Sequence, residues 1–557
     1  MNIKIILSFF IIASTFKSHA SNIEYNSKEL RTICKTWGYL KYYHSELRKG
    51  KVDWDEVLVS ELDLYLNENI SVDTILNHFI QKAGDSKKSK SVFVDKVKVD
   101  KIETLKMVDF SWINNELPKN ISTKLSSMHD YFNNGKNYYA LYNGSEFISL
   151  KNENHININD EFSLEKKFLI LFRFWNVIEY YWPNKHLLKN DWDDIFEFYV
   201  NKIIDSKSQL DFNLVMFGIN NALNDAHAMH FNNRLIKDSV IGTKNLCINF
   251  EIINGRAFVD SYDSANSFLI EENGFQVGDE VISCSKGTVE DIFEKVKSYA
   301  KFSDNRTIER LVANELTHSF TTKIHFQVIR KEKLKTIDIE HWGYSKIDTS
   351  DALMQISKNI IYIKANQFTE TILNLNFKKH YKGLLKSDTI ILDLRDGRVP
   401  YTIRSVFSKY LYSKKVISYL VSPGKRSLRP GYFVNDNDYD VYGGRRKNKF
   451  KGTLVILVNG KTGSIGECTG YTLQQYEKSI VIGTRTWGTA AYAFPINILE
   501  NDISSMFTIC ALMKMDGTYY DNNGLELDYF IDYTKQNDIK WSQDYILESA
   551  INYIRSH

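Results

Sequence analysis

The amino-acid sequence predicts a multidomain protein of the α+β and α/β classes, and three observations carry that expectation. The chain has 557 residues, several times what one hydrophobic core organises, so two to four domains are expected. Its C-terminal part alternates short β-branched runs with helical segments, and a stretch from Leu246 to about Glu340 reads mainly as strands. Apolar residues make up 43% and charged residues 25%, the proportions of a folded soluble chain. A net charge of +3 with both signs interleaved leaves no footprint for nucleic acid or an anionic membrane.

Residues 1–20 read as a secretory signal peptide. Lys4 precedes the apolar run Ile5 to Ile12, and Ser18-His19-Ala20 offers a small-residue cleavage site. The other reading, a buried helix or membrane anchor, meets the difficulty that a span needs about 20 apolar residues. No cysteine stands at the cleavage point, so no lipid anchor is expected there. The mature chain is therefore expected in a periplasmic or extracellular space, not inserted in a membrane. Five scattered cysteines, Cys34, Cys247, Cys284, Cys468 and Cys510, have neither metal-ligand spacing nor an even count, and no disulfide scaffold follows.

Residues 21–165 are expected to form a helical and β region, and 166–243 a helical segment. Trp37 with Tyr42-Tyr43 precedes Asp53-Trp54-Asp55, and Trp175 with Tyr180-Tyr181 precedes Asp191-Trp192-Asp193, with equal tryptophan spacing. Each copy reads as a helix, a turn and a second helix capped by Asp. Aromatic residues at such spacing predict packing rather than a ligand site. Between the copies, Tyr138 to Tyr142 and Phe147 to Leu150, bounded by Asn-Gly turns, predict hairpins.

Residues 244–342 centre on Gly274-Phe275-Gln276-Val277-Gly278-Asp279, a turn feeding an apolar strand. Residues 343–557 carry the buried-strand runs Ile360 to Ile363, Thr389 to Leu394, Leu454 to Val458 and Ile480 to Ile482. The third runs through Gly460-Lys461-Thr462-Gly463 into Ser464 and a helix. That placement puts Ser464 at the carboxyl end of a sheet, where α/β sites gather.

These motifs, in order, resemble the tail-specific (C-terminal processing) and tricorn-like serine peptidases: Asn224-Asp225-Ala226-His227, the Gly274 turn, Asp393-Leu394-Arg395, Ser464-Ile465-Gly466-Glu467, Gly483 to Gly488, and Gly524 to Asp528. The resemblance implies a PDZ-like domain over 244–342 that holds a peptide at Gly274, Phe275, Val277 and Gly278. It implies a ClpP/crotonase-like protease core over 343–557, a polypeptide substrate, and neither cofactor nor metal. Ser464 would be the nucleophile. The processing branch places a lysine base where this chain has Thr489, whereas the tricorn-like branch implies His227 as general base and acid. Asp521 stands near the position of the group that orients the histidine, with Asp225 as its rival, and Ala226 replaces the serine of that pattern. The N–H groups of Ile465 and Gly397 would form the oxyanion hole.

Four other readings stand beside this one. Ser464 and Glu467 could be only a capping box. His227 and His230 have the spacing of a metal pair, but no further ligand stands nearby. The scaffold could bind peptides without cutting them, or act on a small ester or amide.

Overall fold

The structure is a computed structural model. It describes residues 25–87, 103–130, 137–142, 148–149, 152–153, 163–229, 231–246, 248–262, 274–340, 352–367, 383–395, 399–422, 425–426, 429–435, 439–444, 449–499, 503–520, 523–535 and 544–557. The expected signal peptide lies outside them. No helix among the described residues is long and apolar enough to cross a membrane. Cys34 and Cys284 are free thiols, and Cys247 lies outside the described residues.

The repeat folds as predicted and also interlocks. Its first copy supplies helices Ser27–Tyr43 and Trp54–Asn67, its second Leu164–Tyr181 and Trp192–Asp205. Asp53 caps its helix by accepting the Glu56 N–H (3.0 Å) and Asp191 by accepting the Asp193 N–H (2.7 Å). Within the first copy each indole N–H donates to the other tryptophan's carbonyl, at 2.9 and 3.0 Å. The first helix of one copy packs on the second helix of the other. Lys35 pairs with Asp193 (2.8 Å) and Arg173 with Asp55, so the same two positions of each copy exchange ion pairs across a pseudo-two-fold axis. Lys41 is fully buried and bridges Asp55 (2.9 Å) and Glu153 (2.6 Å), pairing charges that could not be buried singly.

Between the copies the predicted hairpin is short, with Leu141 opposite Ser149. The same region also forms helices Trp112–Asn115 and Lys119–Leu125, and a strand Glu103–Lys106 that pairs with Tyr432–Asn435.

Residues 248–340 form an antiparallel sheet in the order 333–340, 323–330, 280–284, 256–262, 248–253, with helices Val289–Tyr299 and Asn305–Thr317. This sheet and the N-terminal helices share one hydrophobic core.

The C-terminal region is built on a six-stranded sheet in the order 353–357, 360–364, 389–393, 453–458, 479–483, 529–530, parallel except at the first pair. Both faces are covered, which explains the unbroken apolar runs. Ile390, Leu392, Leu454 and Ile456 face one core, while Ile391, Val455 and Leu457 face another that includes Ile253, Phe258 and Val277. A second, antiparallel sheet of 439–442, 416–422, 503–513 and 491–499 extends beyond the expected α/β alternation. Residues of its strands 491–499 and 503–513 line part of the candidate site.

Gly38 lies where the first helices of the two copies cross, and an added Cβ would overlap the Asn176 amide. Gly38→Ala is expected to cost about 1–3 kcal/mol, seen as a lower thermal midpoint, and Asn176→Ala in the same chain to restore part of it. An unchanged midpoint in the single variant would place the crossing elsewhere.

Candidate active site

Ser464 occupies the turn between strand Thr453–Val458 and helix Ile465–Leu473 with φ +47° and ψ −115°. Such a conformation costs an L-residue about 1–3 kcal/mol and persists only where neighbours over-determine it. Here the Ser464 N–H donates to Thr489 Oγ1 at 2.9 Å. Gly463 admits no side chain, since a Cβ would come within 2.7 Å of the same oxygen. The Ser464 side chain caps nothing. Glu467 turns away to accept the Thr486 hydroxyl (2.5 Å), the Gly488 N–H (2.6 Å) and the Thr489 N–H (2.7 Å). The capping-box alternative therefore does not describe this turn. Burial pushes the Glu467 carboxyl above the usual carboxylate range, although these donors pull the other way.

His227 lies in the turn after helix Gln209–Asn221, and that turn is docked on strand Ile503–Met513. The Asn232 N–H donates to the Ser504 carbonyl (2.8 Å) and the Ser504 N–H returns to Asn232 (3.2 Å). Asp225, which is buried, accepts the His227 N–H (2.9 Å), the Thr508 N–H (2.6 Å) and the Thr508 hydroxyl (3.0 Å). His227 Nδ1 stands 3.3 Å from Thr508 Oγ1 and 3.7 Å from Asp225 Oδ1. Burial would raise the Asp225 carboxyl, but the imidazole and the backbone donors outweigh it and hold it below its ordinary value. Asp521 and His230 lie outside the described residues. Among the described residues, no group of three or more His, Cys, Asp and Glu is placed to hold a metal.

Ser464 and His227 line one pocket of about 630 Å³, together with Gly463, Ile465, Trp487 and Thr489. The Ile465 N–H opens its helix, where no intrahelical acceptor exists. Gly397 lies outside the described residues; the strand that leads to it is fixed by Arg395, which donates to Asp393 (2.9 and 2.6 Å) and to Asp544 (2.5 and 2.7 Å).

The turn at Gly274 is closed. Gly274 and Gly278 adopt φ +87° and +90°, while Phe275 and Val277 point into cores at 3% and 7% exposure. The Gly278 N–H goes to Val259 (2.7 Å), the Gln276 N–H to Asp279 (2.9 Å), and Arg330 binds both Asp279 and the Gly274 carbonyl. A separate groove of about 210 Å³ lies between edge strand Ile248–Ile253 and helix Asn305–Thr317. From that helix Arg306 donates to the Thr486 carbonyl (3.0 Å) and Arg310 to the Trp487 carbonyl (2.5 Å). The loop behind Ser464 is thus held from both sides.

Residues 359–531 match the sequence model of Peptidase family S41. This domain belongs to peptidase family S41. The S41 domain is that of a serine peptidase, a hydrolase. No curated protein matches the chain. Among solved structures, mature CPAF complexed with lactacystin is similar at 11% identity and TM-score 0.47, over 70% of this chain and 96% of that one. The photosystem II D1 C-terminal processing protease matches at 13% and 0.42, over 69% and 96%. The tricorn protease matches at 16% and 0.34, over 73% of this chain and 38% of its own.

Sequence reasoning missed Thr508, which has no motif of its own, and the loop-holding role of Glu467, whose Ser-x-x-Glu spacing reads equally as a cap. Asp225→Asn is expected to cost about 1–3 kcal/mol in denaturant unfolding, because an amide cannot receive every donor that now converges on the carboxylate. Thr508→Val should cost less. Equal stability of Asp225→Asn and the native chain would contradict this anchoring.

Glu251 lines the groove, and burial pushes its carboxyl up to about 7 against the pull of Arg306, with Asp260 adding to the rise and Arg485 opposing it. A folded-state value above the unfolded one favours the neutral acid. The group's contribution to stability is therefore complete below about pH 4 and is lost as pH rises toward 7, by on the order of 3 kcal/mol. Melting curves between pH 5 and 8 should show a shallower decline for Glu251→Gln than for the native chain; identical slopes would assign the decline to another group.

Proposed function

We propose that the protein is a serine endopeptidase of the tail-specific and tricorn-like kind, cutting unstructured polypeptides or C-terminal tails by a Ser-His mechanism. One observation carries the reading: a serine held in a strained turn at a helix start and a histidine anchored on a buried aspartate line the same pocket. Serine is a poor nucleophile until a base takes its proton. With Nδ1 facing Thr508 and Asp225, Nε2 of His227 is left for that task. It would receive the Ser464 proton as Oγ attacks the carbonyl, then deliver it to the leaving amine; water would repeat the sequence on the acyl-enzyme. The Ile465 N–H would meet the developing oxyanion, a contact commonly worth about 3 kcal/mol, and Gly397 is proposed as the second donor.

Asp225, with Thr508, is proposed as the orienting group. Thr489 stands where the processing branch places its lysine and instead supports the Ser464 backbone. The 244–342 region is proposed as a PDZ-like peptide binder. The closed Gly274 turn favours the groove at strand Ile248–Ile253 as the place where an extended segment adds to the sheet edge. Residues 1–20 are proposed to direct export.

A fluorophosphonate probe tests the mechanism. The native chain should be labelled and Ser464→Ala should not. His227→Ala should slow labelling by at least about 10³-fold, while Lys461→Met, which removes the ammonium lining the same pocket, should stay within about tenfold. Native-rate labelling of His227→Ala would overturn the histidine's role, and peptide binding without any labelling would identify a binding protein instead.

A further inference from the structure

A buried acid lining the groove between strand Ile248–Ile253 and helix Asn305–Thr317 lacks a donor. Glu251 has only 4% of its surface exposed, and no hydrogen bond reaches its Oε1. Its ion-pair partner, Arg306 Nη1, stands 3.6 Å away, beyond hydrogen-bond distance. Phe250 and Ile252 turn into the core shared with the N-terminal helices, which leaves Glu251 on the other face of the strand with Ile253. Gly460 makes room for it there, since a Cβ on Gly460 would lie 3.2 Å from Glu251 Oε2.

The charged neighbours of Glu251 are engaged elsewhere. Arg306 donates to the Thr486 carbonyl and faces Glu309 at 3.5 Å, and Arg485 faces Glu309 at 3.3 Å. Asp260 accepts the Thr484 and Tyr533 hydroxyls at 2.8 and 3.2 Å. Lys461, Arg310, which donates to the Trp487 carbonyl, and His318, whose Nδ1 lies 2.9 Å from the Asn314 carbonyl, complete the ionisable lining. Burial, with Asp260 and Glu309, raises the Glu251 carboxyl to about 7 against the pull of Arg306 and Arg485, whereas burial holds His318 below its ordinary value. A carboxyl so placed gains from a donor that a ligand brings. Among the described residues, strand Ile248–Ile253 pairs on one side only, with 256–262. An extended segment added to its outer edge would lay alternate side chains to the face that holds Glu251. Across the groove the helix offers that segment Glu309, Asn314 and Thr317, with Ala313 between them, a polar face rather than an apolar socket.

We propose that this groove selects extended polypeptide segments bearing an N–H donor side chain, and that Glu251 is the residue that reads it. This rests on the reading of the groove as a peptide site. The donor can be the amide of Asn or Gln or the cation of Lys or Arg, since the recognising chemistry is the same. An apolar side chain of equal size leaves the carboxyl unsatisfied. Glu251 does not line the pocket at Ser464, so the selection is separate from whatever that pocket prefers.

The test follows, by anisotropy, the binding of fluorescent peptides capped at both ends to the full chain carrying Ser464→Ala. The peptides differ only in Lys against norleucine, or Gln against Met, at successive positions. At one position the donor-bearing peptide should bind at least about tenfold more tightly than its apolar partner. Adding Glu251→Met, or the smaller Glu251→Ala, should reduce that ratio to less than about twofold at a near-native melting temperature. A cationic source makes the Lys/norleucine ratio rise between about pH 6 and 8 as Glu251 ionises, a rise that Glu251→Gln should abolish; an amide source gives a Gln/Met ratio that stays flat. Ala313→Trp, which fills the groove from the helix side, should weaken every peptide at least about tenfold. Ratios near one for peptides that Ala313→Trp displaces, or an undiminished ratio in the folded Glu251 variants, would overturn the proposal and leave the groove standing as a peptide site. Binding undiminished by Ala313→Trp, or no binding at all, would instead overturn the reading of the groove itself.

Discussion

The candidate site depends on how one buried carboxylate is satisfied. Asp225 belongs to the first half of the chain, yet two of its donors, the N–H and hydroxyl of Thr508, belong to a strand 283 residues further on. A carboxylate taken out of water is tolerated only when its lone pairs are filled, so the turn carrying His227 has a definite resting place on strand Ile503–Met513. The surrounding bonds repeat the constraint: Ser505 donates to Asn220, and Asn232 and Ser504 exchange backbone bonds. Docking is specified at several residues along the same strand, which holds the imidazole to one wall of the pocket rather than to a range of positions.

The opposite wall is held by a second buried carboxylate. Glu467 gathers the 486–489 loop, and that loop supplies the acceptor for the Ser464 N–H. Thr486 in turn receives the Leu525 N–H (3.0 Å), so the Gly524 to Asp528 tail closes on the same loop. Arg306 and Arg310 grip its outer carbonyls from the neighbouring sheet region. The strain at Ser464 is local, but what maintains it comes from three separated parts of the sequence, as expected of a backbone conformation that its own residue would not choose.

What could be read from the sequence follows from the range of the forces involved. Asp53 and Asp191 were legible as caps because a cap is a bond between near neighbours, and the runs at Ile390 and Val455 were legible because a strand covered on both faces must be apolar throughout. The exchange of partners between the two tryptophan repeats was not legible, since Lys35 and Asp193 look like ordinary surface charges until the helices cross. The pairing of Glu103–Lys106 with Tyr432–Asn435 is equally non-local. In the site, Ser464 and His227 had motifs around them. The fixing of Asp225 beside His227 involves Thr508, which no local pattern marks, and Phe275 and Val277 belong to cores rather than to an open turn because Arg330 and Asp279 close it.

The two buried carboxylates respond to their surroundings in opposite directions, and the difference has a physical origin. Both are removed from water and both receive backbone donors, yet Asp225 is held low and Glu467 is pushed up. Asp225 has an imidazole beside it, whereas the hydrogen-bond donors to Glu467 are neutral, with Arg310 acting only through its field. Hydrogen bonds from neutral donors offset part of the cost of burying a charge; an adjacent group that can become a cation offsets more. Asp225 is therefore an ionised partner for the neighbouring imidazole, while Glu467 holds its loop through hydrogen bonds from neutral donors. The same side-chain chemistry thus serves two parts of one pocket, one as an electrostatic partner of the His227 imidazole and the other as a fixed support for the Ser464 turn.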